Sequence, residues 1–222
     1  MTKTLAIRGG GLMLAAALLL PCLRAQQDAP SVKELARRVD QHYNTLQALK
    51  ADFVESYEGL GMKRTESGVL YLRKPGRMRW DYTVPAGKDF VLDGKYAWFY
   101  TAGDPQVQRL PAKELDDIRS PLRFLLGHTE LEKELENLKE TPAGSGSFVL
   151  TGQPKGQENR VARLSLTVTP EGTITAIELE ETDGALTRFV FSNQQPNAAI
   201  APDVFRFTPP KGVPVVDAPP PV

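Results

Sequence analysis

The chain offers few side chains with the reactivity that catalysis or metal binding needs. It contains two histidines, His42 and His128, and one cysteine, Cys22. Zinc and similar metals are held by clustered histidine and cysteine ligands, and no His-x-x-x-His pair or cysteine cluster occurs in the sequence. A Gly-x-Ser-x-Gly nucleophile elbow is absent as well. We therefore expect no catalytic residues, no metal and no cofactor, although a hydrolase that uses His42 or His128 stays open as an alternative.

A different chemistry, the solvation of a hydrocarbon chain, is offered by Met78, Trp80 and Tyr82. They alternate with Arg79 and Asp81, and alternating residues of a strand share one face. Large, soft, apolar groups with few polar partners suit an acyl chain. The same pattern is also that of an ordinary hydrophobic core, and the residues alone leave both interpretations open.

Predicted helices lie before and after this strand in the sequence. Ser31 with Glu34 forms a capping-box signature, and the apolar residues that follow keep helical spacing on one face: Val32, Leu35, Ala36, Val39, Tyr43, Leu46 and Leu49. Two further helical segments are predicted, one that begins at Ser120-Pro121 and one over 129–138.

Alternation and turn residues predict a large number of short strands. They cover 51–58, 68–73, 77–82, 90–93, 95–100, 106–110, 148–151, 160–168, 173–181 and 186–193, with a final strand at Phe205 and Phe207. This layout is α+β with a large antiparallel sheet, which should curl under its own twist. Helices would then either plug the concave apolar side completely or cover it loosely over a cavity, and the pattern does not decide between the two.

The two ends of the chain read as separate segments. Residues 1–25 are predicted to be a cleaved signal peptide, because Lys3 and Arg8 precede the apolar run 12–20 and Ala25 suits the cleavage site. The run is short for an uncleaved anchor, the alternative, which needs about 20 residues. Residues 26–216 form the predicted domain, and the proline-rich 217–222 a disordered tail. Without its leader the chain carries 24 basic and 27 acidic residues, so we expect no binding to nucleic acid.

Four stretches in order resemble the periplasmic outer-membrane lipoprotein carrier family, LolA. They are 68–80, which contains Lys74-Pro75-Gly76, then 91–100 around Asp93-Gly94-Lys95, then 120–126 with Ser120-Pro121-Leu122, and 205–213 with Phe205-Arg206-Phe207. The resemblance covers about 31–216 of the chain. It implies an incomplete, half-open antiparallel β-barrel whose concave apolar face is covered by helices, with 120–126 as the lid helix.

The same resemblance implies a carrier, and not an enzyme, that shields the acyl chains of lipoproteins in the periplasm. An inner-membrane ABC transporter complex of the LolCDE kind would load it, and an outer-membrane receptor of the LolB kind, if present, would unload it. We expect a monomer. The residues that we expect to face the ligand are Leu35, Val39, Tyr43, Leu46, Leu70, Leu72, Met78, Trp80, Tyr82, Phe124 and Leu125.

The family carries an arginine directly before the proline of the 74–76 turn, where it latches the backbone of the lid. Lys74 occupies that position here, and Arg73 precedes it. Lysine is a point donor and not a planar fork, so the predicted latch should hold fewer carbonyl groups. Arg73 is the alternative latch, although neighbouring strand residues point to opposite faces. Carriers of another lipid and lipoprotein-binding envelope-stress sensors remain the rival functions.

Overall fold

One twelve-stranded sheet forms most of the computed structural model, which describes residues 30–113 and 129–218. Helix α1 (Val32–Thr45) precedes it, a single turn α2 (Leu131–Glu134) interrupts it, and a 3₁₀ helix (Pro202–Phe205) follows its eleventh strand. The strands are β1 Ala48–Gly59, β2 Met62–Arg73, β3 Arg77–Val84, β4 Lys88–Leu92, β5 Tyr96–Thr101, β6 Val107–Pro111, β7 Leu135–Pro142, β8 Phe148–Pro154, β9 Val161–Val168, β10 Ile174–Glu181, β11 Leu186–Pro196 and β12 Val215–Asp217.

The strand order is β12-β6-β5-β4-β3-β2-β1-β11-β10-β9-β8-β7, so β1 and β11 join the two halves and the sheet is not closed. Only β12 runs parallel to its described neighbour. Trp80 on β3 and Phe189 on β11 lie three strands apart, yet their ring centroids are 5.3 Å apart. Neighbouring strands are about 4.8 Å apart, so a curl of the sheet accounts for this contact. The α+β class and the open antiparallel barrel are confirmed.

Helix α1 begins as predicted but ends earlier. The Ser31 hydroxyl accepts a hydrogen bond from the Glu34 amide at 3.3 Å, and Leu46 adopts an extended C-cap conformation. The prediction that helical residues reach Leu49 is wrong, because Leu49 pairs with Leu72 in the sheet. Leu49 is buried in either case, so the apolar spacing continued across the helix end.

All ten of the predicted strands from 51–58 to 186–193 are present. The helix predicted over 129–138 is wrong beyond α2, because β7 begins at Leu135 and pairs with β8. Leu131 and Leu135 are both buried, which produced a helical i, i+4 spacing across a turn and a strand. Asn137 has φ 53° at the register shift of β7, a conformation that asparagine tolerates.

The end of the chain also departs from prediction. Phe205 closes the 3₁₀ helix and is 2% exposed, so the strand predicted at Phe205 and Phe207 is wrong; Pro202 at the first helical turn favours the helix. Asp217 lies in β12, and the Ala218 amide donates to the Arg109 carbonyl at 2.8 Å. The disordered tail is therefore wrong at 217 and 218. The predicted signal peptide 1–25, the lid helix 120–126 and residues 219–222 lie outside the described residues.

Candidate apolar binding site

A continuous apolar surface runs across β1, β2 and β3. Leu72 pairs with Met78 and Leu70 with Trp80 across the β2–β3 ladder, and residues two apart on a strand share a face. These four side chains are at most 1% exposed. They form the floor of the site on the concave side of the sheet.

Helix α1 covers this floor. Leu35, Val39 and Tyr43 are 0% exposed and Leu46 is 3% exposed, and all four belong to the same buried cluster as the strand residues. The Tyr43 hydroxyl accepts a hydrogen bond from the Ile174 amide of β10 at 3.1 Å, and burial raises the pKa of Tyr43 to about 12. The helix therefore contacts both halves of the sheet.

The structure thus brings together eight of the predicted site residues, and Tyr82 packs against them half-buried. Phe124 and Leu125 lie outside the described residues. With α1 in this position the apolar groups are shielded from water.

Aromatic rings that the sequence analysis missed complete one wall. Phe53 meets Trp80 edge-on at 4.6 Å and Tyr82 at 5.1 Å between ring centroids. Phe189 and Phe191 of β11 lie 5.3 Å and 6.2 Å from the Trp80 ring. Alternation in β1 and β11 is the signal that would have placed them on this face. The Trp80 indole N–H donates to the Met78 sulfur at 2.9 Å, so the wall has little polarity to offer a ligand.

Lys74 sits at the C-terminal end of α1. Its ammonium group donates to the main-chain carbonyl of Tyr43, one of the last four helix carbonyls that lack a partner within the helix. Its own amide donates to the Gln47 carbonyl at 2.9 Å, and burial lowers the pKa of its ammonium group. Arg73 instead donates to the Ile200 carbonyl at 3.4 Å. Lys74 is the one of the two that reaches a covering helix.

A second contact ties α1 to the chain at 129. The Asn44 side-chain amide donates to the Thr129 carbonyl at 3.0 Å and accepts from the Thr129 amide at 2.9 Å. The Asp40 carboxylate accepts from the Leu131 amide at 3.2 Å. Burial raises the pKa of the Asp40 carboxyl group, and the hydrogen bond from the Leu131 amide acts in the opposite direction.

A cleft of about 400 Å³ opens beside Lys74. Its walls are Gln47, Ala48, Arg73, Lys74, Asn197, Ala198, Ala199 and Ile200. Within 30–113 and 129–218, no three histidine, cysteine, aspartate or glutamate side chains are grouped to hold a metal ion. In the same ranges, none of the helices is both long enough and apolar enough to cross a membrane.

Sequence comparison identifies a family and relatives. The profile of the outer membrane lipoprotein carrier protein LolA matches residues 44–208. The outer-membrane lipoprotein carrier protein of Chromobacterium violaceum is 34% identical over 204 residues, which cover 92% of this chain and 96% of that protein. That of Pectobacterium carotovorum is 31% identical, with 90% and 97% covered.

Solved structures share the fold at low sequence identity. An uncharacterised conserved protein from Thermus thermophilus superposes with a TM-score of 0.53 at 15% identity, over 83% of this chain and 98% of its own. The lipoprotein LppX of Mycobacterium tuberculosis superposes with a TM-score of 0.51 at 11% identity, over 78% and 98%. These likenesses concern the architecture alone.

Proposed function

The chain belongs to the outer membrane lipoprotein carrier protein LolA family, and on that premise we propose that it binds lipoprotein acyl chains on the concave face beneath α1 and carries them through the periplasm. The observation that supports this most directly is the cover itself. Helix α1 lies on an apolar face of an unclosed sheet, and a lysine side chain holds the end of the helix.

A free acyl chain in water has a high free energy, so transport through the periplasm requires a carrier that shields it. Each methylene that leaves water gains about 0.8 kcal/mol, so a lipid with several acyl chains cannot cross an aqueous compartment free. The floor formed by Leu70, Leu72, Met78 and Trp80 offers dispersion contacts without chemical specificity. An apolar wall of this kind suits a carrier that must accept many lipoproteins.

Loading requires the cover to move. The floor residues are at most 1% exposed while α1 is in place, so an acyl chain reaches them only when the helix shifts away from the sheet. The hydrogen bond from Lys74 to Tyr43 favours the closed position. Opening also breaks the hydrogen bonds of Asn44 and Asp40 with residues 129–131. Acyl chains that replace the apolar contacts of α1 with the floor would offset part of this cost, which permits release without chemical energy.

The proposal extends to the surroundings of the carrier. The segment 1–25 acts as a cleaved signal peptide that delivers the chain to the periplasm. A LolCDE-like transporter complex loads the carrier and a LolB-like receptor unloads it. The chain performs no catalysis and works as a monomer.

Native mass spectrometry of the purified mature chain tests the proposal against its rivals. A bound diacyl or triacyl species that copurifies, and that leaves when α1 is displaced by a mild detergent, is the expected result. An empty protein with esterase activity would instead favour a hydrolase. A copurifying lipid that is never part of a lipoprotein would favour a carrier for another lipid.

A further inference from the structure

The apolar face ends in a group of buried charges. On β1, Phe53 is followed two residues later by Glu55, and on β4, Phe90 is preceded two residues earlier by Lys88. Residues two apart on a strand share a face, so on both strands the face that carries the aromatic ring carries a charged side chain two residues away. Glu66 pairs with Glu55 across the β1–β2 ladder. The polar group therefore continues the apolar surface and does not lie behind it.

The two carboxylates in this group are unusually well buried. The side chain of Glu66 is 5% exposed and that of Glu55 is 11% exposed. Glutamate is rarely buried unless it is paired, and like charges directly opposite each other on a sheet are destabilising. Apolar residues at these positions would often be neutral or stabilising, so stability alone does not explain the arrangement.

The neighbours compensate the two carboxylates unequally. The Lys88 ammonium binds Glu66 at 2.5 Å and lies 4.2 Å from the centroid of the Tyr82 ring. Glu55 accepts a hydrogen bond from the Tyr82 hydroxyl at 3.1 Å, and its nearest cation, Arg64, is 3.8 Å away. Glu55 thus keeps more of its acceptor capacity for another partner, and burial raises the pKa of its carboxyl group.

We propose that Glu55, supported by Tyr82 and Glu66, binds the nitrogen of the lipid-modified N-terminal residue of a lipoprotein, where the acyl chains branch from the polypeptide. A buried carboxylate is complementary to an N–H donor or an ammonium group. The acyl chains would lie along Phe53, Trp80 and Tyr82, and the polypeptide would leave toward solvent past Arg64, whose side chain is 53% exposed. The inference rests on the proposed function, since it assigns the polar end of the same site.

Two lipopeptides and a fatty acid separate the contributions. One probe is a short peptide whose N-terminal cysteine carries a diacylglyceryl group and a free amine, and the second has the same amine acylated. The third is a fluorescent fatty acid without a polypeptide. Binding of each to the full mature chain is measured by fluorescence titration, with the two lipopeptides measured by displacement of the fatty acid.

The variants are Glu55→Leu and Glu55→Gln, with Glu58→Leu as the matched control. Glu58 lies on the same strand, and its partner is the solvent-exposed Lys63 at 2.7 Å. We expect Glu55→Leu to weaken both lipopeptides by about tenfold or more relative to the fatty acid. Glu55→Gln keeps an acceptor oxygen but no charge, so it should weaken only the free-amine probe. Glu58→Leu should change none of the three.

The outcomes have distinct meanings. The assignment of Glu55 would be overturned if Glu55→Leu lowered the affinities for the fatty acid and both lipopeptides equally. It would also be overturned if Glu55→Leu left the affinities for both lipopeptides unchanged. Failure of the unsubstituted chain to bind the fatty acid would overturn the proposed function itself. Circular dichroism and thermal melting of each variant report whether the fold is kept, and Glu55→Gln preserves the shape of the side chain if Glu55→Leu does not fold.

Discussion

The ammonium group of Lys74, in the turn between β2 and β3, donates a hydrogen bond to the main-chain carbonyl of Tyr43 near the C-terminus of α1. That carbonyl has no partner within the helix, and a positive charge near a helix C-terminus interacts favourably with the helix dipole. Tyr43 also holds β10 through its hydroxyl. One residue of α1 therefore connects the two halves of the sheet and the turn that follows β2.

Replacement of Lys74 should loosen the cover without destroying the fold. In Lys74→Leu the Tyr43 carbonyl loses its partner, which should lower the free energy of unfolding by about 1 kcal/mol, since the lysine is only partly buried. Transfer of bound lipoprotein to an acceptor should become faster because α1 opens more often. Stopped-flow transfer of a fluorescent lipopeptide to vesicles measures the rate.

Arg73→Leu is the control for this change. It removes a positive charge from the adjacent position, but the Arg73 side chain donates its hydrogen bond to the Ile200 carbonyl, which lies outside α1. If transfer is faster than in the unsubstituted chain by the same factor in both variants, positive charge near the turn matters and the hydrogen bond to Tyr43 does not. If transfer is unchanged in Lys74→Leu, Lys74 does not hold the cover. Lys74→Arg should restore slow transfer.

A charge at position 78 should abolish carrier activity. Met78 is 1% exposed in the floor of the apolar site, and an unpaired buried carboxylate is strongly unfavourable in contact with apolar groups. Met78→Glu should therefore fail to release lipoproteins from spheroplasts. Normal release by a folded Met78→Glu chain would remove Met78 from the site.

Met78→Leu is the matched substitution, because it preserves apolar character at similar volume and usually costs less than about 1.5 kcal/mol. It should release lipoproteins normally. If Met78→Glu does not fold, Trp80→Leu provides the second test: it removes the ring that contacts Phe53 and Phe189, and the affinity for an acyl probe should fall.

The sequence predicted the local elements of the site well, because their patterns are short-range. Alternation placed Met78, Trp80 and Tyr82 on one face, and the Asp93-Gly94 turn located the β4–β5 hairpin, where the Asp93 carboxylate accepts from the Lys95 amide at 2.7 Å. Each of these features depends on residues within one strand or one turn. The pairing of β1 with β11 depends on distant segments and left no such pattern.

The errors also have a physical origin. Leu49 and Leu135 continue a helical spacing although each lies in a strand. Leucine is common at buried positions of both helices and strands, so a buried leucine does not distinguish the two. Glu55 and Glu66 carried no signal, since a charged residue in an alternating strand normally faces solvent. Their burial appears only when neighbouring strands are aligned.

Loss of the Asn44 side chain should weaken the attachment of the Thr129 backbone to α1. Both polar groups of the Thr129 backbone are paired with Asn44, and Thr129 is 1% exposed, so Asn44→Ala leaves buried groups unsatisfied. We expect a loss of about 1–3 kcal/mol in unfolding free energy and faster hydrogen exchange at the Thr129 amide. Gln41→Ala, at an exposed position of the same helix, should change neither.

The stability of the chain should depend on pH through Glu55. Burial raises the pKa of this carboxyl group above its unfolded value, and Glu66 acts in the same direction while Lys88, Tyr82 and Arg64 oppose it. The folded chain therefore holds this proton to higher pH than the unfolded chain, and the contribution of Glu55 to stability is lost as the pH rises through the folded pKa.

Glu55→Gln should consequently be more stable than the unsubstituted chain near neutral pH, and its advantage should shrink as the pH falls toward about 4, where the unfolded carboxyl is half protonated. Urea unfolding across this range gives the difference directly. Glu58→Gln, on the same strand but exposed, should show no such narrowing. An advantage of Glu55→Gln that grows on acidification would contradict the direction of the shift.

A methyl group at Gly68 should disrupt the aromatic wall. A Cβ at this position would lie 2.1 Å from the Asp81 carbonyl oxygen and 2.8 Å from the Tyr82 Cα, so the backbone of β2 or β3 must move. The rings of Phe53 and Tyr82, which meet at 5.1 Å, would then separate. We expect Gly68→Ala to lower the free energy of unfolding by about 3 kcal/mol and to weaken acyl binding.

Gly61→Ala is the control, because a Cβ at Gly61 meets open space. Its φ of +76° should lower the free energy of unfolding by about 1 kcal/mol through backbone strain and leave binding unchanged. Equal costs and equal affinities in the two variants would show that the close approach at Gly68 does not shape the site.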